Sequence, residues 1–168
     1  MQKIMEHGVK GFKARGHRKA FTQIGIYLNE ERDMKMYPDM YGRDEIFFRL
    51  GVEQSDDLLQ RIKTVENPNF QDDNGTSYLH RACQRHYLEA IKLLLNMGAD
   101  PNINDKKGAS PILKAIGRIH EDNNIILEIM LQHGLDLDKM EGDMTLKAKI
   151  ESFDDDEMNK IVKKYYHK

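Results

Sequence analysis

Tryptophan is absent from this 168-residue chain, cysteine occurs once, and aromatic residues make up 8% of the sequence. An interior without tryptophan must be filled mainly by aliphatic side chains and by methionine, which is plentiful here. A single cysteine excludes a disulfide framework within the chain and fits a reducing compartment. No apolar run approaches the roughly 18 residues of a membrane span. The opening residues, MQKIMEHGVKGFK, lack the apolar stretch of a secretory signal. A strong charge of one sign is also missing. The net charge is −2, which argues against nucleic-acid binding through a molecule-wide basic field. The histidines include no i, i+4 pair, and there is no Cys-x-x-Cys, no phosphate-cradling glycine loop and no Gly-x-Ser-x-Gly elbow. These absences set the expectation of a cytoplasmic, monomeric, non-enzymatic protein without cofactor, metal or membrane.

Charged residues are nevertheless abundant, at 32%, and they are unevenly spread. In residues 1–37 lysine and arginine outnumber aspartate and glutamate eight to four; in the remainder they trail 18 to 24. This reads as a basic N-terminal segment, 1–38, attached to an acidic body, 39–168. The segment is densest in cations over residues 10–19. Ile24, Ile26 and Leu28 alternate like a strand, while Phe21, Ile24 and Leu28 fit one face of a helix equally well. Both readings stand, and so do those of a capping segment and a flexible one.

An internal repeat organises the body. Gly42, Gly75, Gly108 and Gly142 recur at spacings of 33, 33 and 34 residues. Asp39, Asp72 and Asp105 precede the first three by a constant interval. Asn67-Pro68-Asn69, Asp100-Pro101-Asn102 and Asp136-Leu137-Asp138 keep step, as do Gly98 and Gly134. In the unit 72–104, Asp72-Asp73-Asn74-Gly75 is a turn with glycine at a positive-φ position. Ser77 caps a short helix carrying Leu79, Ala82 and Cys83. Leu88, Ile91, Leu94 and Leu95 mark a second helix that ends before Gly98. One such pair cannot bury both of its faces, so its neighbours must stack on it.

The segment DDNGTSYLHRACQRHYLEAIKLLLNMGADPNIN resembles a nearly complete ankyrin repeat, with Ser77-Tyr78-Leu79-His80-Arg81-Ala82 in place of the family's Thr-Pro-Leu-His-x-Ala. Tyr78 departs from the usual proline. The unit 105–138 keeps the proline in Ser110-Pro111-Ile112-Leu113-Lys114-Ala115, loses the histidine and gains residues around His120. The outer units, 39–71 and 139–168, are degenerate. Ile46 and Phe47 take the Leu-His places in the first, Leu58 and Ile62 mark its second helix, and Met144-Thr145-Leu146-Lys147 opens the last. The resemblance implies an all-α solenoid of about four helix-turn-helix units. It also implies that His80 bonds backbone and ties neighbouring units together.

Other polar groups are read as structural. Cys83 is a small buried hydrophobe. Asp56-Asp57 and Asp72-Asp73 are helix-start and turn residues. The run Asp154, Asp155, Asp156 and Glu157 supplies negative charge at a helix N-terminus; its sharper reading is an anionic patch that occupies a partner's basic groove.

Binding residues follow from repeat geometry: the turn tips and the exposed sides of the first helices vary freely and line a concave groove. These are Tyr41 and Arg43 in the first unit, with Met40 and Phe48. In the second they are Asp73, Asn74, Thr76, Arg81, Gln84 and Arg85. In the third they are Lys106, Lys107, Lys114 and Arg118, with Ala109, and in the last Met140 and Glu141, with Asp143. Tyr41, Arg81 and Arg85 are the favoured anchors. The expected function is non-enzymatic protein binding. One form of it, implied by a resemblance to small bacterial ankyrin proteins that act as immunity partners, is an immunity protein that neutralises a toxin, such as a nuclease whose cationic active site meets the acidic body; another is an adaptor or effector recruiting a host or regulatory protein. A nucleic-acid-associated regulator acting through residues 10–19 is the third reading.

Overall fold

The helices of this chain are short, and most begin where the sequence offers a cap. Asp44, Ser55, Ser77 and Thr145 each accept, through a side-chain oxygen, the backbone amide three residues on. They start α1 (Glu45–Leu50), α2 (Asp56–Ile62), α3 (Tyr78–Gln84) and α7 (Leu146–Glu151). Pro111, with its preset φ and no amide hydrogen, opens α5 (Pro111–Ile116). The longer second helices are α4 (Leu88–Asn96), α6 (Asn123–Gln132) and α8 (Asp156–Tyr166). In this computed structural model the described residues are 39–117 and 121–166, together with three two-residue strands before them. The chain divides into two compact units, Met1–Asp39 and Met40–Lys168.

In the first unit β1 (Ala20–Phe21), β2 (Tyr27–Leu28) and β3 (Met34–Lys35) pair antiparallel in that order. Ala20 pairs with Leu28, and Leu28 with Met34. Of the residues with an open strand-or-helix reading, Phe21 and Leu28 are in strands, while Ile24 and Ile26 lie outside the described residues. The cationic stretch 10–19 lies outside them too.

The second unit is the stack of helix pairs that the repeat predicts. The first helices pack in sequence, α1 on α3 and α3 on α5; the second helices do likewise, α2 on α4, α4 on α6 and α6 on α8. One apolar core runs through all four pairs. Leu58, Ile62, Leu79, Ile91, Leu94, Ile112, Leu127 and Ile150 are among its fully buried side chains. Area removed from water is the main favourable contribution, about 1.5–3 kcal/mol for each such side chain.

The glycine series has the conformation its turns need. Gly75 sits at φ 74° in a turn closed by its amide donating to the Asp72 carbonyl at 2.8 Å. Asp72 is nearly buried, and its Oδ1 accepts the amides of Asn74 and Thr76, each at 2.9 Å. Asp105 repeats this with Lys107 and Ala109 at 2.9 and 3.0 Å. In the last unit Lys139 stands where those aspartates stand, and the turn is instead a strand pair, β4 (Met140–Glu141) with β5 (Met144–Thr145). The lengthened connection of the third unit joins α5 to α6 across residues 117–122, of which 118–120 are outside the described residues.

Candidate protein-binding face

Backbone hydrogen bonds bring the turn tips side by side. The Asp73 amide donates to the Tyr41 carbonyl at 2.8 Å, and the Lys106 amide to the Asn74 carbonyl at 2.9 Å. His80 fastens the same units from inside. Its Nδ1 accepts the Ser77 amide at 3.1 Å, completing a capping box, and its Nε2 bonds the Ala109 carbonyl of the next unit at 2.9 Å. The ring is therefore the neutral Nε2–H tautomer. Burial holds its pKa below the ordinary imidazole value, against the opposing pull of the Ala109 carbonyl and of Asp105. Histidine thus does here what the repeat motif implies. Cys83 is fully buried, and burial pushes its thiol pKa up, which suppresses the thiolate.

On the outer side of this framework the predicted positions separate into three groups. Tyr41, Asp73, Asn74, Arg85, Lys106, Lys107, Met140 and Asp143 are exposed, and among the described residues Met40 is the most open of the large apolar side chains, at 82%. The Arg43 guanidinium lies over the Tyr41 ring at 4.8 Å. A second group is tied into the fold. Arg81 is half-buried: its guanidinium lies 5.3 Å from the Phe47 ring centroid, Nη1 donates to Gln84 at 2.9 Å, and a Cβ added at Gly51 would strike it. Burial, and then the charges of Arg43 and Arg85, lower the Arg81 pKa. Lys114 is paired with Asp105 at 2.7 Å. Burial raises the Asp105 pKa, but Lys114 and the two turn amides outweigh it and hold the carboxyl below its ordinary value. Thr76 is half-buried, with its amide and carbonyl both spent on Asp72.

Glu141 forms the third group and is a correction. Its place at the last tip suggested an exposed contact residue, yet it is 1% exposed, with Oε2 accepting the Ser110 amide at 3.0 Å. The β4–β5 pairing turns this side chain inward to accept the Ser110 amide of the preceding unit, where Leu113 stands in the place of His80. Arg118 lies outside the described residues.

Much of the acidic content of the body lies away from this face, although Glu45 and Glu151 are on the first helices α1 and α7. Asp56 and Asp57, Glu89, Glu128, and Asp156 with Glu157 all belong to second helices. The run before α8 has the local role read for it: Asp155 Oδ1 accepts the Met158 amide at 2.9 Å, and Asp156 and Glu157 fill the first turn. Two open clefts lie elsewhere as well, one beside Leu131, Leu135 and Tyr165, the other between Gln54 and Tyr87. Among the described residues no three His, Cys, Asp or Glu side chains converge to hold a metal ion. No described helix is long and apolar enough to cross a membrane.

Two structural devices had no counterpart in the sequence reading. Asn69 Nδ2 donates to the Gly98 carbonyl at 3.2 Å while its Oδ1 accepts the Asp100 amide at 2.7 Å. Asn102 repeats the clasp on Gly134 and Asp136 at 2.9 and 2.8 Å. The third place of the Asn-Pro-Asn series was the available signal. Tyr78, in the proline position, stacks on Phe70 at 5.0 Å and donates its hydroxyl to Asp44, the cap of α1. The larger side chain thereby joins the degenerate first unit to the second.

A model of the ankyrin repeat family, in three copies, matches residues 49–144. The human transient receptor potential cation channel subfamily A member 1 is 26% identical over 110 residues, 63% of this chain and 9% of that protein. Mouse ankyrin repeat domain-containing protein 63 is 33% identical over 75 residues, 42% of this chain and 18% of that one. The chain thus spans a small part of the length of the curated relatives it matches. Among solved structures, an ankyrin repeat domain from Acinetobacter baumannii superposes with a TM-score of 0.66 at 17% identity, covering 74% of this chain and 65% of that one, a likeness of fold alone.

Proposed function

The chain belongs to the ankyrin repeat family, whose repeats are protein–protein interaction modules, and from that premise we propose that it binds a partner protein across its turn tips and the exposed sides of α1, α3 and α5. The observation that carries this is the ladder of tip-to-tip hydrogen bonds. It holds side chains from successive units in fixed register at one edge while the core behind them needs nothing from their identity. Tyr41, Arg81 and Arg85 are the anchors of the proposed contact. Partner capture from the source cell, followed by affinity measurement, tests it. Arg81→Ala combined with Arg85→Ala weakens the captured complex while the helical circular dichroism is kept. Undiminished affinity in a folded double variant removes this face.

The narrowest form of the proposal makes the partner a toxin that the chain neutralises. The acidic excess of residues 39–168 supports it, and the second helices are where a cationic toxin surface would then dock. Growth rescue on co-expression with a candidate toxin tests that form. Failure of rescue alongside intact capture of a regulatory protein turns the reading to an adaptor. Salt-sensitive nucleic-acid binding abolished by deleting residues 1–33 would replace both with the regulator.

A further inference from the structure

The overall charge of the chain misrepresents the face proposed for binding. The tips and first helices present Arg85, Lys106 and Lys107 exposed and Arg43 and Arg81 half-buried, against exposed Asp73 and Asp143 and half-buried Glu45 and Glu151, the last two paired with Arg49 and Lys147. Asp72, Asp105 and Glu141, which belong to the same turns, are buried, and each has one oxygen engaged by backbone amides. The side chains of Arg85, Lys106 and Lys107 make no ion pair among the described residues. Arg81 is already half out of water against Phe47, and the neighbouring Arg43 and Arg85 charges oppose its own while Asp72 offsets them in part. Cations gathered in excess of carboxylates raise the local potential, and an incoming anion is the group that lowers it. Arginine forks also take carboxylates in bidentate fashion.

We propose that the partner segment seated on this face is an acidic stretch of polypeptide, its carboxylates meeting Arg43, Arg81 and Arg85 and its flank meeting the Lys106 and Lys107 tip. This rests on the reading of the face as the binding surface and adds the chemistry of the occupant. A polypeptide fits better than a nucleic acid for two reasons. The cationic patch is short and is interrupted by Asp73. Exposed apolar side chains, Met40 and Tyr41 at the first tip and Val52 past the end of α1, offer contacts that a phosphate backbone does not use. It follows that a cationic active site is the wrong complement for these tips.

The test uses the full chain and labelled probes of equal length: a mixed glutamate–leucine peptide, its lysine–leucine counterpart and a single-stranded oligonucleotide. The acidic peptide binds about tenfold or more tighter than the lysine peptide at low salt, and weakens as salt is added. Arg85→Glu with Lys106→Glu, both exposed and outside the core, lowers that affinity by a further factor of about ten or more. Charge reversal of Lys160 and Lys163 on α8 leaves it unchanged. Equal or better binding of the lysine peptide, no binding of the acidic one, or oligonucleotide binding lost in the same double variant each overturns the proposal. The fate of the underlying reading is separate. A captured partner lost on Tyr41→Ala but held more tightly by Arg85→Glu, Lys106→Glu keeps the face and reverses its charge preference; a partner indifferent to all of these variants removes the face itself.

Discussion

Replacing His80 by alanine tests how the units are joined. Three losses follow from its surroundings. The buried Ser77 amide has the imidazole Nδ1 as its acceptor, and leaving a buried donor unpaired costs about 1–3 kcal/mol. The Nε2 bond to Ala109, worth about 1 kcal/mol, disappears, although that carbonyl still accepts the Asp105 amide at 2.9 Å. The fully buried ring also leaves a cavity between α3 and α5. Together these give about 2–5 kcal/mol, a large share of the 5–15 kcal/mol typical of a domain. Urea denaturation followed by circular dichroism reads it. A second readout comes from the sign of the pKa shift. The folded state holds the His80 pKa below the unfolded value of about 6.5, so its contribution is complete above that pH. As pH falls below about 6.5 the unfolded chain takes up a proton that the folded one resists, and stability declines. The decline is flatter in His80→Ala. A loss below about 1 kcal/mol, or an unchanged pH profile between wild type and variant, would refute the account of His80 as the inter-unit tie.

Three further outcomes are expected. Gly75→Ala destabilises more than Gly108→Ala: both residues have positive φ, 74° and 77°, worth about 1–2 kcal/mol, but only at Gly75 would the new Cβ meet the Lys106 amide, at 2.9 Å. Equal shifts in denaturation midpoint would count against the close packing of tips. Leu94→Ala, at a fully buried position of α4, costs about 2–5 kcal/mol by the same assay, and a loss well under 1 kcal/mol would mean that the assigned core face is wrong. Cys83 resists a thiol reagent in the native chain at pH 8 and reacts on unfolding; rapid native labelling would contradict its burial.

Much of this architecture was legible because it rests on local rules. Ser77 caps, Gly75 and Gly98 take positive φ, and Leu79, Ile91 and Leu94 fall on buried helix faces; each follows from a few adjacent residues repeated at constant spacing. The candidate face was legible only as a set of positions. Its inward member, Glu141, was misplaced because whether a tip side chain points to solvent depends on how its turn pairs, and the last turn pairs as a two-stranded hairpin.

The amino-acid order by itself determined the period, the helix pairs, the turn glycines and the family, since these depend on neighbours in sequence. Tertiary structure alone decided which charges share a surface. Asp72, Asp105 and Glu141 count toward the acidic total yet are withdrawn into hydrogen bonds, whereas Lys106 and Lys107 remain exposed at a tip and Arg85 at the end of α3. The physical reason is that burial and hydrogen bonding deny a partner direct contact with a carboxylate, and neither is visible until distant units have stacked.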